Sequence, residues 1–90
     1  MIIPYSKLPA GVQSPMQQYI RYGLHPGGFL YAVIVNDLRR AVEYGSAENL
    51  KTLPDIVQWL IEHAPAECHG SPGLVEMWQS KCKLRRRNAR

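Results

Sequence analysis

The segment 28-GFLYAVIVNDLRRAVEYG-45 decides how this chain folds. Its opening, Phe29–Val35, is seven uninterrupted apolar residues, β-branched and aromatic enough to suit a strand. The residues beyond it favour a helix. Leu30, Ile34, Leu38 and Ala41 recur at helical steps, with Val33 and Val42 alongside. Arg39 and Glu43 stand at i and i+4, where opposite charges support a helix. The pattern predicts a single helix over 28–44, ended by Gly45.

Working outward, Ser46 offers an N-cap directly after that glycine, the signature of a tight hairpin of two helices. The next apolar series, Ala47, Leu50, Leu53, Val57, Leu60, Ile61 and Ala64, predicts a helix over 46–64. It runs straight through Pro54. A proline inside a helix removes a hydrogen bond and collides with the preceding turn, so this helix either kinks or restarts at Thr52, with Asp55 three residues on. Pro65 closes it. On the other side, Ser14-Pro15 reads as an N-cap with proline at the first helical position, and Gly23 as the stop of a short helix over 15–22. Ser71-Pro72 repeats the opening signal for a last helix over 72–85, with Leu74, Trp78 and Cys82 on one stripe.

Together these elements predict an all-α protein built as a small four-helix bundle. An extended N-terminal arm covers 1–13, the helical domain 14–85 and a basic C-terminal tail 86–90. The expected core is Leu30, Ile34, Leu38, Leu53, Val57, Leu60 and Trp78. On that reading Leu38→Ala should cost about 2–5 kcal/mol.

Bulk composition narrows the function classes. Ninety residues at 46% hydrophobic and 20% charged describe one ordinary globular domain rather than a disordered chain. Two cysteines, Cys68 and Cys82, make no disulfide framework, so a reducing compartment is expected. The N-terminus has no basic stretch leading into an apolar one, so no secretory signal is expected. A run of seven apolar residues is far below the ~20 that span a bilayer. The expectation is a soluble protein with no membrane partner.

The net charge of +4 divides unevenly. Residues 81–90 carry Lys81, Lys83, Arg85, Arg86, Arg87 and Arg90 without one acid. The first 80 residues hold five basic and seven acidic side chains, a formal charge of −2. A folded nucleic-acid binder usually carries its positive charge on the folded face. Here the charge gathers at the C-terminal end, which could contact phosphates weakly and without sequence preference.

Several clusters invite chemistry and fall short of it. His25-Pro26-Gly27-Gly28 could open a helix onto an anion, but no Gly-Lys-Ser/Thr follows and no strand precedes, so close packing is the preferred reading. His63, Cys68, His69 and Cys82 suggest zinc, yet His63-x₄-Cys68 has no second clean pair and Cys82 lies on an apolar stripe. No metal and no cofactor is expected. No serine or cysteine is grouped with a base and an orienting partner, so no catalytic residue is assigned and no enzyme is expected. A helix-turn-helix register through Ala41 and Gly45 would put Lys51 and Pro54 at apolar positions and Glu48 and Asp55 toward phosphates, which rules against it. Asn36, Asp37, Arg39 and Arg40 remain. They are either a structural polar network or a recognition edge.

The stretch from Gly23 to Pro72 also resembles a group of small proteins encoded by bacteriophages and prophages. The residues that carry the likeness are Pro26–Leu30 (PGGFL), Asn36–Leu38 (NDL), Ala47–Asn49 (AEN), Ile56–Leu60 (IVQWL) and Ala64–Ser71 (APAECHGS). They span about half of the chain, and the arginine-rich C-terminus departs from the pattern. The resemblance transfers no catalytic residue. It implies a setting, the bacterial host cytoplasm, and a mode of action, binding and redirecting a host protein or protein complex such as a CRISPR effector. The expected partner-binding residues are Asn36, Asp37, Arg39 and Arg40. The alternative is a nucleic-acid-binding accessory protein acting through Lys81, Lys83, Arg85, Arg86 and Arg87.

Overall fold

A computed structural model describes residues 2–88, and among them every regular element is helical. In chain order these are α1 (Ala10–Tyr22), α2 (Gly28–Ile34), α3 (Leu38–Tyr44), α4 (Ala47–Lys51), α5 (Leu53–His63) and α6 (Pro72–Asn88), with 3-10 turns at Tyr5–Lys7 and Ala66–Cys68. Phe29–Val35 is not a strand. Six helices therefore stand where four were expected, and the differences have identifiable causes.

The expected helix over 28–44 is two helices meeting at a corner. Asn36 adopts φ 67°, the one non-glycine residue with positive φ among those described. Asparagine tolerates that left-handed conformation better than most side chains. Its N–H bonds back to the Val33 carbonyl at 3.1 Å and the Asp37 N–H to the Ala32 carbonyl at 2.8 Å, which closes the end of α2. Asp37 then caps α3, its carboxylate accepting the Arg40 N–H at 3.1 Å. Two adjacent polar residues thus end one helix and begin the next.

The expected helix over 46–64 divides at Thr52. Ser46 caps α4 as anticipated, accepting the Asn49 N–H at 3.1 Å. Of the two options at Pro54, the chain takes the restart, with the proline in the first turn of α5, where no N–H is missed. Thr52 does not cap it. Its hydroxyl donates instead to the Asn49 carbonyl at 3.0 Å.

The first 13 residues are not an extended arm, because α1 begins at Ala10 and encloses Pro15. Val12, Met16, Tyr19 and Ile20 are buried at helical spacing, and that stripe extends the helix back past the proline. Ahead of α1, Leu8 is buried and the Tyr5 ring lies 5.7 Å from that of Trp59, whose indole N–H donates to the Pro4 carbonyl at 3.0 Å. The N-terminal segment thus adds Leu8 to the core and packs Ile3 and Tyr5 against it. A radius of gyration of 12.7 Å, against about 12 Å for a folded chain of this length, agrees with one body.

The core joins α1, α2, α5 and α6. Tyr19 is fully buried and its hydroxyl donates to the Cys68 carbonyl at 2.7 Å, tying α1 to the second 3-10 turn. Gly23 ends α1 at φ 71°, and a Cβ there would fall 2.8 Å from the Cβ of Cys82 and 3.1 Å from the Cα of Gln79. Glycine is required twice over, for the backbone and for the approach of α6. Of the expected core, Leu30, Ile34 and Leu60 are buried, and Leu53 and Trp78 are half-buried against it. Leu38 and Val57 are not core: they are 68% and 40% exposed. On α6 the buried positions are Val75 and Cys82, while Leu74 lies at the surface.

Two stability measurements follow from this packing. In urea melts, Ile34→Ala should cost about 2–5 kcal/mol and Leu38→Ala less than about 0.5 kcal/mol, whereas an unbroken helix would make both costly. Gly23→Ala should cost at least the about 1–3 kcal/mol of a strained left-handed residue, with the contact to α6 adding to it. A Gly23→Ala protein as stable as the parent would contradict the close approach of α1 and α6.

Candidate interaction surfaces

Asn36, Asp37, Arg39 and Arg40 come together at the corner between α2 and α3. Asn36 and Asp37 are occupied there by structural tasks. Besides capping α3, the Asp37 carboxylate pairs with the Arg40 guanidinium at 3.6 Å. Arg39 pairs with Glu43 at 3.5 Å along the outer face of α3. Exposed pairs like these hold less than about 1 kcal/mol each, so both guanidinium groups stay available to a partner.

What the sequence reading missed lies beside them. The corner turns α3 so that, of its apolar residues, only Ala41 is buried, leaving Leu38 and Val42 exposed at i and i+4. On α5, Val57 and Ile61 are exposed with the same spacing. Leu38, Leu53 and Val57 border a small cleft of about 40 Å³, floored by the buried Ala32, Val33 and Ala41. This cavity could receive the tip of one apolar side chain. The signal that could have found it is the Asn-Asp pair, read as a stop and a start rather than as the middle of a helix.

The basic residues expected in a tail are helical through Arg87, since α6 continues to Asn88; Arg90 lies outside the described residues. Arg85, Arg86 and Arg87 occupy the last turn, where cations complement the helix dipole. Helical spacing divides the group. Lys81 and Arg85 share a face with Trp78 and stand 5.8 and 5.9 Å from its ring centroid, while Lys83, Arg86 and Arg87 point elsewhere into solvent. Lys81 is partly neutralised by Glu67 at 2.8 Å, a contact that holds the glutamate carboxyl below its usual range. The Arg85 guanidinium donates to the Cys82 sulfur at 3.2 Å.

The remaining candidates have structural roles. Cys68 and Cys82 are buried, and burial pushes the Cys68 thiol up to about 12, so it stays protonated and unreactive at neutral pH. The His63 ring packs on Trp59 at 5.8 Å. Among the described residues no three His, Cys, Asp or Glu side chains converge as metal ligands. At the Pro-Gly-Gly turn the Gly27 N–H already donates to His25 Nδ1 at 3.1 Å, and a Cβ on Gly28 would sit 3.7 Å from the Tyr44 ring of α3. That turn serves packing.

Set against protein-family models, characterised proteins and solved structures, the chain shows no match.

One titration is testable here. Desolvation holds the His69 imidazole below its ordinary pKa of 6.5, so the fold disfavours its protonated form. That contribution to stability is present above about pH 6.5 and lost as the pH falls from there toward the folded value. Unfolding free energy should therefore decline between pH 7 and 5, and His69→Gln should flatten the decline. The Glu67–Lys81 pair is lost only below about pH 4.5 and does not confuse the comparison.

Proposed function

We propose that this protein is a non-enzymatic interaction module that binds a host protein or protein complex in the bacterial cytoplasm and inhibits or redirects it. A CRISPR-type defence effector is one such machine, given the likeness to small phage and prophage proteins. In this reading α2–α3 and α4–α5 each stand for one broken helix, so the body keeps a four-helix plan with a basic C-terminal end. The observation that carries the proposal is that exposed Leu38 of α3 and exposed Val57 of α5 border one cleft, each with a second exposed apolar residue one turn on, Val42 and Ile61, and with Arg39 and Arg40 following Leu38 on α3. Apolar anchors with an arginine-bearing rim are the anatomy of protein interfaces, and a cleft between the anchors gives a partner side chain a seat. No described helix is long and apolar enough to cross a membrane, which fits a partner met in the cytoplasm.

The second reading, a nucleic-acid accessory protein, is supported by Lys83, Arg86 and Arg87 on α6, which make no ion pair with another described residue. Cutting the chain at residue 81 would not separate the two readings, because it removes the buried Cys82 and with it part of the core. Charge substitution does separate them. Tagged protein should co-purify from host lysate with a defined protein partner, and nuclease treatment should not release it. Leu38→Asp with Val57→Asp should abolish that capture with little change in melting temperature, since both sites are exposed. Arg39→Ala with Arg40→Ala should weaken it, and Lys83→Gln, Arg86→Gln and Arg87→Gln together should leave it intact. Loss of capture on the last set, with none on the first, would establish the second reading instead.

A further inference from the structure

A second, larger groove lies on the opposite chemistry: between the N-terminal segment, the end of α1 and the middle of α6. It encloses about 590 Å³, in the range of small-ligand sites, and Tyr5, Gln17, Arg21, Trp78 and Arg85 supply its polar and aromatic lining. None of the described residues lining it is acidic, although the first 80 residues are net negative. Neither Arg21 nor Arg85 is within ion-pairing distance of a described carboxylate. Two guanidinium groups from helices distant in sequence thus face one groove without an internal counter-charge.

The aromatic wall is fixed rather than free. The Trp78 N–H donates to the Ile20 carbonyl at 3.2 Å, which sets the orientation of the indole, and Arg85 lies 5.9 Å from its ring centroid. A held aromatic ring and a guanidinium plane are the two surfaces on which unpaired bases stack, and arginine also takes the phosphate. Arg86 and Arg87 follow in the last turn of α6, outside the lining of the groove. A duplex could meet that charge but could not present a base to the groove, because its bases are already stacked.

We propose that the groove formed by Tyr5, Arg21, Trp78 and Arg85 binds the base-and-phosphate unit of single-stranded nucleic acid. This goes beyond a basic helix end acting by charge alone, and it can fail while that reading stands. Gln17, one turn before Arg21, is placed to bond a base edge or a sugar hydroxyl.

The test uses the full chain and a labelled oligothymidylate of about 12 nucleotides, within the ~4–16 nucleotides that single-strand binding sites cover. Fluorescence anisotropy should show binding about tenfold tighter than to a duplex of equal length, as base stacking requires. Arg21→Gln and Arg85→Gln should each lower single-strand affinity about fivefold or more, with helicity and melting temperature retained. Lys83→Gln with Arg87→Gln should instead weaken single strand and duplex to the same degree. Trp59 is buried, so quenching of the parent protein's tryptophan emission by the oligonucleotide should report on Trp78. Quenching by thymidine monophosphate with the same Arg21 dependence would assign the groove to the free nucleotide unit, and quenching by the oligomer alone to a strand; both uphold the proposal. Equal affinity for duplex, indifference to Arg21→Gln, displacement by polyglutamate as effective as by oligonucleotide, or no binding would each overturn it.

Discussion

Between Ala32 and Arg40 three hydrogen bonds turn the chain: Asn36 N–H to Val33, Asp37 N–H to Ala32, and Arg40 N–H to the Asp37 carboxylate. The left-handed backbone at Asn36 opposes them by about 1–2 kcal/mol, less for asparagine than for most residues. Had α2 simply continued, Leu38 and Val42 would have fallen in phase with Leu30 and Ile34 and gone inside. The corner directs them outward and leaves Ala41 to fill the space against the core. An apolar face on α3 is thus the result of a local capping choice, and the surface proposed for partner binding exists only because that choice holds.

Helix α1 is the element against which the rest assembles. It buries Val12, Met16, Tyr19 and Ile20 along one side, and it comes so near α6 at Gly23 that no side chain fits between. Pro15 sits within it at a cost of about 3 kcal/mol or more in a helix interior. Val12 is the buried residue of that stripe that lies before the proline, and burying it contributes about 1.5–3 kcal/mol, which offsets most of the cost. Packing therefore decides where this helix begins. The local signal at Ser14-Pro15 loses.

That contest explains what was legible in the sequence. The all-helical class, the Ser46 cap, the stop at Gly23 and the burial of Leu30, Ile34 and Leu60 all depend on local chemistry or on an unbroken period, and all could be read. The division at Thr52 was one of the two options that Pro54 left open, whereas the division at Asn36 was hidden because the apolar spacing stays in phase across it, and period alone cannot see a change of axis. Arg39 and Arg40 were visible as charges. Their apolar neighbours were not, since an exposed Leu38 and a buried one occupy the same step of the pattern. The groove at Trp78 was out of reach for a different reason. Its walls come from residues 2–5, 17–21 and 78–85, and nothing in a linear pattern brings those three together.

Among the described residues, three aromatic side chains lock the fold by donating to a backbone carbonyl far along the chain: Tyr19 to Cys68, Trp59 to Pro4 and Trp78 to Ile20, across separations of 49, 55 and 58 residues. The helices themselves need only neighbouring residues. During synthesis, then, α1 to α5 can coil as they emerge, but the clasp at Ile20 has no donor until residue 78 has joined. Until that moment the nascent chain is a string of marginal helices with their apolar stripes uncovered, since short isolated helices are barely stable in water. Order between α1 and α6 therefore waits for residue 78, when the donor to Ile20 is delivered.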